Sequence, residues 1–175
     1  EAGKFEIQHD EFRMRKLIDS IHGIFAEQAA VKGIEFESRV SDTLPDTLYG
    51  DPLRLRQVLF NLIGNAIKFT EKGKVELRVT EAEGDDAIHT ILFEVCDTGI
   101  GIPQEKLREI FEPFRQVDSS SRRRFSGTGL GLGIVQRFVD LLGGTITVES
   151  EVEEGSCFRV LLPFSTSSRE VKGQL

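Results

Sequence analysis

Two glycine-rich stretches carry the residues best suited to chemistry. The first is Cys96-Asp97-Thr98-Gly99-Ile100-Gly101-Ile102-Pro103, an acid at the end of an apolar run followed at once by a flexible turn. The second is Gly127-Thr128-Gly129-Leu130-Gly131-Leu132-Gly133, a turn that opens a helix. Together they offer one carboxylate and many backbone N–H groups. A purine nucleotide needs both, an acceptor for its exocyclic amine and donors for its phosphates. Two glycines in three positions also let a backbone approach a flat ring closely. Each stretch has a plainer reading. An acid followed by glycine is a common turn signal, and Gly131 and Gly133 could serve only tight helix–sheet packing.

A third constellation lies on the helix predicted from Pro52 to Thr70. Leu55, Val58, Leu59, Leu62, Ile63, Ala66 and Ile67 make its apolar face. Gln57, Asn61, Gly64, Asn65 and Lys68 fall on another face, at spacings of three and four. A solvated polar stripe is one reading, and it suits Gln57. The two asparagines, four apart, are harder to dismiss and leave a ligand set open beside that reading. Asn is a poor helix former because its amide competes for backbone hydrogen bonds, yet both sit inside an apolar run. An amide oxygen is a hard, neutral ligand suited to Mg²⁺, whose other ligands are usually waters and substrate phosphates. Lys68, one turn on, adds positive charge for those phosphates. The polar loop from Asp118 to Ser126, with Arg122, Arg123 and Arg124, directly precedes the second glycine stretch. It reads as a lid that offers an arginine to the phosphates.

The elements that must position these groups follow from periodicity and punctuation. Residues 1–12 read as a lead-in, with Phe5, Ile7 and Phe12 as scattered anchors. Met14, Leu17, Ile18, Ile21, Ile24, Phe25 and Ala29 recur at helical spacing over 13–32, and Gly33 is the stop. Residues 34–40 alternate as a strand, and 47–50 form a short one. Asp51-Pro52 is an N-cap followed by proline at the first helical position. Residues 74–80 and 90–95 alternate around the turn Glu83-Gly84-Asp85-Asp86. Gln104 to Phe111 is a short helix after Pro103. Thr128 to Leu142 is a helix stopped by Gly143-Gly144. Residues 145–150 and 156–162 form a second hairpin around Glu153-Glu154-Gly155. The polar stretch 165–175 reads as a tail or linker, leaving 13–164 as one domain. Helices segregated from antiparallel hairpins predict an α/β two-layer sandwich, about three helices on one face of a mixed, mostly antiparallel sheet.

Bulk properties bound the function. A length of 175 residues suits a single domain, and 39% apolar with 29% charged residues is an ordinary globular balance. The net charge of −7 disfavours general binding to nucleic acid or to anionic membranes. A polyphosphate must therefore be met locally. Cys96 and Cys157 lie in apolar strand-like runs without a CxxC spacing, so free thiols in a reducing compartment are expected. No apolar run is long enough to span a membrane and no signal peptide is evident. With Glu1 in place of an initiator Met, the chain is expected to be a soluble piece of a longer protein.

These pieces, in this order, resemble the catalytic ATP-binding domain of a sensor histidine kinase of the GHKL ATPase superfamily. The run from Gln57 to Thr70 is similar to that family's N box, Asp97 to Ile102 to its G1 box, Phe111-Glu112-Pro113-Phe114-Arg115-Gln116 to its F box, and Gly127 to Leu132 to its G2 box. Gly155-Ser156-Cys157-Phe158 with Leu162-Pro163 resembles the closing hairpin. The resemblance covers 13–164 and implies ATP and Mg²⁺ as ligands. It implies that Asp97 accepts from the adenine amine, that Phe69 lies against the ring, and that Gly99, Gly101 and Ile102 line that end. Asn61 and Asn65 would serve Mg²⁺ and phosphate, with Asn65 the better metal ligand. Lys68, Arg115, Gln116 and Arg123 would face the phosphates. Gly127, Thr128, Gly129, Leu130, Gly131 and Leu132 would wrap them, and Ser156 would join the water network at the adenine.

The resemblance also defines what is missing. Family members carry the acceptor histidine on a preceding helical dimerisation domain, and His9, His22 and His89 do not sit in that motif. The implied activity is phosphotransfer to a histidine outside the chain, with a response-regulator receiver domain downstream. No catalytic base is expected within the chain. The implied setting is the cytoplasmic part of a membrane-bound kinase, homodimeric when whole and monomeric as this piece, with a hybrid kinase as one form of the parent. Ser126 and Gly133 depart from the usual Gly and Ala, and a glycine at 133 loosens the helix start by about 1 kcal/mol relative to Ala. One rival is a GHKL ATPase of the chaperone, topoisomerase or mismatch-repair kind. Those use a glutamate as water-activating base where Asn61 stands here. The other rival is a kinase-like docking domain with little turnover.

Overall fold

The computed structural model describes residues 6–111 and 131–168. Strand β1 is Asp10–Phe12. Helix α1 (Met14–Lys32) turns Met14, Leu17, Ile18, Ile21, Phe25 and Ala29 inward, and Gly33 ends it in the left-handed conformation at φ 78°. Strands β2 (Glu35–Val40) and β3 (Leu48–Gly50) follow. Helix α2 (Pro52–Phe69) starts where the Asp51 carboxylate accepts the Arg54 N–H at 2.9 Å, the N-cap geometry the Asp-Pro pair predicts. Next come β4 (Lys74–Gly84), β5 (Ile88–Asp97), a 3₁₀ turn at Gln104–Lys106, α3 (Gly131–Leu141), β6 (Thr145–Glu151) and β7 (Gly155–Ser165).

The strands form one sheet in the order β1-β3-β7-β5-β4-β2, with β6 also paired to β7. All pairs are antiparallel except β2 with β4. Strand alternation sorts the two faces. Val75, Leu77, Val79, Ile91, Phe93, Val95, Val160 and Leu162 are buried against the helices. The opposite face carries a cross-strand charge row, in which Arg78 reaches Glu94, and Arg159 reaches Glu94 and Glu149. This is the expected two-layer sandwich, three helices on one face of a mixed, mostly antiparallel sheet.

Several local expectations change. Residues 10–12 pair with 48–50 as an edge strand instead of trailing as a lead-in, and Tyr49 donates to Glu11 across that pair at 2.6 Å. The helix expected over 104–111 is a single 3₁₀ turn followed by further turns. The first hairpin is longer than its alternating core. It closes at Asp85, whose carboxylate accepts the N–H groups of Ala87 and Ile88, both at 2.7 Å. The expectation of free thiols is overturned, because Cys96 and Cys157 are joined in a disulfide. They oppose each other directly in the β5–β7 register, a proximity that only the sheet topology creates.

One tie between elements bears on everything after it. At the end of α1, Lys32 donates to the carbonyls of Ile67 and Lys68 at 2.6 and 2.8 Å. A helix C-terminus leaves its last carbonyls without intrahelical partners and carries partial negative charge, so an ammonium there satisfies both. Lys32→Met removes these bonds, and the expected result is a Tm lowered by roughly 2–4 °C, about 1 kcal/mol in a domain of this size. Differential scanning calorimetry checks it.

Candidate functional site

The candidate site is assembled by the end of β5, the C-terminal end of α2 and the start of α3. After Asp97 the chain turns back against α2. The Ile100 N–H donates to the Phe69 carbonyl at 3.2 Å. Gly99 is buried, and a side chain at 99 would run into that same carbonyl oxygen. The glycine is required by close approach to backbone. This contact docks the turn holding Asp97, Gly99, Gly101 and Ile102 onto the helix holding Asn61, Asn65, Lys68 and Phe69.

Asp97 is held from within the turn, its carboxylate accepting the Gly99 N–H at 2.9 Å. Burial pushes its pKa above the ordinary carboxylate value, and the N–H groups of Gly99 and Ser156 offset part of that rise. An acid kept partly out of water with spare acceptor capacity suits recognition of a neutral donor. Ser156 is buried opposite Asp97, in register with it. Its hydroxyl lies 2.7 Å from that of Ser150. Ser150 in turn accepts the Ile102 N–H at 2.7 Å, and its carbonyl accepts from the Gln104 side chain at 2.8 Å. Gly101 lies against Glu151. The hairpin β6–β7 thus braces the turn from the side away from α2.

On α2, the Asn61 side-chain N–H donates back to the Gln57 carbonyl at 2.9 Å. That leaves Oδ1 pointing at the start of α3, 3.1 Å from where a β-carbon on Gly131 would sit, with the Asn65 amide 3.8 Å from the same point. Both amides therefore face the N-terminal end of α3. The Lys68 ammonium lies 5.5 Å from the centroid of the Phe69 ring, and Leu132 packs on the core. Gln57 keeps the plainer role, its side-chain oxygen accepting from Arg54 at 2.8 Å. Gly64 faces Phe25 of α1, so it is a packing residue. Of the expected site residues, Arg115, Gln116, Arg123, Gly127, Thr128, Gly129 and Leu130 lie outside the described residues, as does the loop read as a lid.

Two contributors escaped the sequence reading. Ser150 had a usable signal, since the alternation Ile146, Val148, Ser150 turns a hydroxyl toward the core. Lys32 had none, because a lysine ending a helix normally points to water. A depression beside the site is walled by Asp97, Gln104, Leu107, Ser150 and Ser156 among others. It adjoins the Asp97 end and does not reach Asn61 or Asn65. Among the described residues no cluster of three or more His, Cys, Asp or Glu could hold a metal, and no helix is long and apolar enough to cross a membrane.

An acid-and-glycine turn is thus docked on an asparagine-bearing helix, over a mixed, mostly antiparallel sheet. The chain belongs to the histidine kinase-, DNA gyrase B- and HSP90-like ATPase family, whose model matches residues 50–166. The histidine-kinase membership expected from the four boxes is borne out by this match together with the following relatives and structures. The chain is 44% identical over 167 residues to the sensory/regulatory protein RpfC of Xanthomonas campestris, covering 94% of this chain and 23% of that protein. It is 40% identical over 158 residues to the signal transduction histidine-protein kinase BarA of Escherichia coli K12, covering 90% and 17%. The crystal structure of full-length ShkA in complex with AMPPNP superposes with a TM-score of 0.80 at 34% identity, covering 96% of this chain and 34% of that one. The nucleotide-free catalytic domain of the histidine kinase ThkA gives 0.72 at 30% identity, covering 89% and 95%. The chain thus spans less than a quarter of the length of these curated relatives.

The raised pKa of Asp97 has a consequence for stability. A carboxyl whose folded pKa lies above its unfolded value favours folding below the unfolded pKa, and that contribution is lost as pH rises through the folded pKa. Asp97→Asn removes this pH-dependent loss and keeps an oxygen for the Gly99 N–H. The variant is expected to melt higher than the parent at pH 7, and the gap should close below the unfolded carboxylate pKa of about 4. Thermal melts of both proteins across that range check it.

Proposed function

We propose that this domain binds Mg-ATP and donates the γ-phosphoryl group to a histidine carried on a separate dimerisation domain. The observation that supports it most is the convergence of Asn61 and Asn65 on the start of α3, on a helix whose other end is fastened to the Asp97 turn. A nucleotide lying between these ends has its base at Asp97 and its phosphates at α3.

In this reading Asp97 accepts from the adenine amine, a water held with Ser156 completes the contact, and Phe69 lies against the ring. Gly99, Gly101 and Ile102 form the wall on the strand side. The phosphates run toward the N-terminal end of α3, where backbone N–H groups and the helix dipole favour anions. The stretch Gly127, Thr128, Gly129, Leu130, Gly131 and Leu132 wraps them, with Lys68, Arg115, Gln116 and Arg123 supplying charge and hydrogen bonds. The donor set suits Mg²⁺. Asn65, with Asn61 beside it, offers neutral amide oxygen, and such an ion takes its remaining ligands from phosphates and water. When bound, Mg²⁺ neutralises charge developing on the phosphates. The chain's own part is positioning and electrostatic stabilisation.

The acceptor lies elsewhere in this reading, because the chain's histidines have other partners. His22 lies 2.9 Å from the Ser38 hydroxyl, His89 lies 2.6 Å from the Glu81 carboxylate, and His9 contacts Ser165 at 3.3 Å. The domain proper takes in the edge strand at 10–12 and the end of β7 at Ser165, which widens the expected bounds of 13–164, and the residues before it would lead in from the dimerisation domain. The parent is a homodimeric sensor kinase with its kinase part in the cytoplasm, and its phosphoryl group passes on to a receiver domain.

Calorimetry with ATP, with and without Mg²⁺, tests the site. The parent is expected to bind in a Mg²⁺-dependent way. Asp97→Asn should weaken binding by roughly 10- to 100-fold, the loss of a charge-assisted hydrogen bond. Asn65→Ala should remove most of the Mg²⁺ dependence. A folded parent that binds no ATP overturns the proposal in favour of a docking domain. Bound nucleotide without transfer to a supplied histidine-bearing domain overturns the kinase step alone.

A further inference from the structure

The cysteine pair lies one residue from the proposed adenine contacts, and the site described above does not use it. Cys96 and Cys157 are directly opposed between β5 and β7, with Cα atoms 4.0 Å apart. That is the close spacing of a non-hydrogen-bonded antiparallel pair, in which side chains approach most nearly. The next opposed pair is Asp97 with Ser156. Strand alternation puts both cysteines on the helix-free face of the sheet, where each is partly exposed. Glu76 and Glu149 are their outer neighbours in the same row.

We infer that Cys96 and Cys157 are a reversible redox modification site whose disulfide fastens the Asp97–Ser156 end of the sheet and tightens nucleotide binding. The inference rests on the ATP reading of that end. Proximity in the register makes the disulfide intramolecular, and partial exposure gives a small reagent access. Disulfides in reducing compartments are usually transient and redox-sensing. The oxidant is a low-molecular-weight disulfide. One cysteine thiolate attacks it, forming a mixed disulfide and releasing one thiol. The second cysteine then attacks the mixed disulfide, forming Cys96–Cys157 and releasing the other thiol. Two protein thiols are oxidised and one reagent disulfide is reduced to two thiols. The bond acts on binding through preorganisation, because β5 and β7 can no longer separate where Asp97 and Ser156 must hold the adenine contacts.

The test uses the chain reduced with dithiothreitol and the chain oxidised with hydroxyethyl disulfide. Alkylation followed by mass spectrometry counts thiols in each state. Amide exchange reports on the segment 96–102, and calorimetry gives the affinity for Mg-ATP. The expected result is two alkylated thiols when reduced and none when oxidised. Amide exchange at Gly99 should slow on oxidation, and the Kd should be at least about threefold lower in the oxidised state. Cys96→Ser and Cys157→Ser should show one affinity under both conditions. Failure to form the intramolecular disulfide overturns the inference, as does equal affinity in two states that alkylation shows to differ. If neither state binds nucleotide while alkylation still switches, the ATP reading fails and the coupling falls with it, but the pair stands as a modification site.

Discussion

The contact between the Phe69 carbonyl and the Gly99-Ile100 backbone is the constraint on which the rest depends. It fixes the end of a strand against the end of a helix with no side chain between them. Asp97, Ser156 and the glycines proposed for the adenine end sit on the strand side of that contact, and Asn61, Asn65 and Lys68, proposed for Mg²⁺ and phosphate, sit along the helix. A β-carbon at 99 would force the two apart and uncouple the halves. The close approach is supported from both sides. Lys32 satisfies the carbonyls of Ile67 and Lys68 just before it, and Ser150 holds Ile102 just after it.

The surrounding sandwich explains why such a contact is sustained. The apolar faces of α1 and α2 and the inward residues of β4, β5 and β7 form one buried cluster, so neither α2 nor β5 can shift without opening the core. Against that rigid background the site contains groups that do not favour folding. Asp97 is half-buried with a raised pKa, and Asn61 and Asn65 occupy helix positions where Ala or Leu would be better formers. Such local conflicts are what a binding site looks like in an otherwise self-consistent sequence.

Much of this was legible in the sequence because the signals are local and periodic. The buried stripe of α1, the Asp51-Pro52 cap and the alternation of β4 and β5 each state their element without reference to the rest of the chain. The asparagine pair stood out because it breaks an apolar helix run, and the acid-glycine turn because it ends one. What the sequence could not show depends on distant partners. Three residues of β1 are a strand only because Leu48–Gly50 lies beside them. The cysteines meet across 61 residues of sequence through a register set by the whole sheet. Lys32 reaches α2 only once both helices are packed. Ser150 was in principle visible from its strand phase, but nothing local says which backbone groups it serves.

The most direct test is a backbone amide NMR titration with Mg²⁺ and a non-hydrolysable ATP analogue. One ligand lying across both sides of the Phe69–Gly99 contact predicts that the amides of Gly99, Ile100 and Gly101 shift together with those of Asn61, Asn65 and Gly131. They should follow a single saturation curve, while the outward charge row of Arg78, Glu94 and Arg159 stays still. Shifts confined to one side of the contact, or two curves with different affinities, would contradict a single site spanning strand and helix.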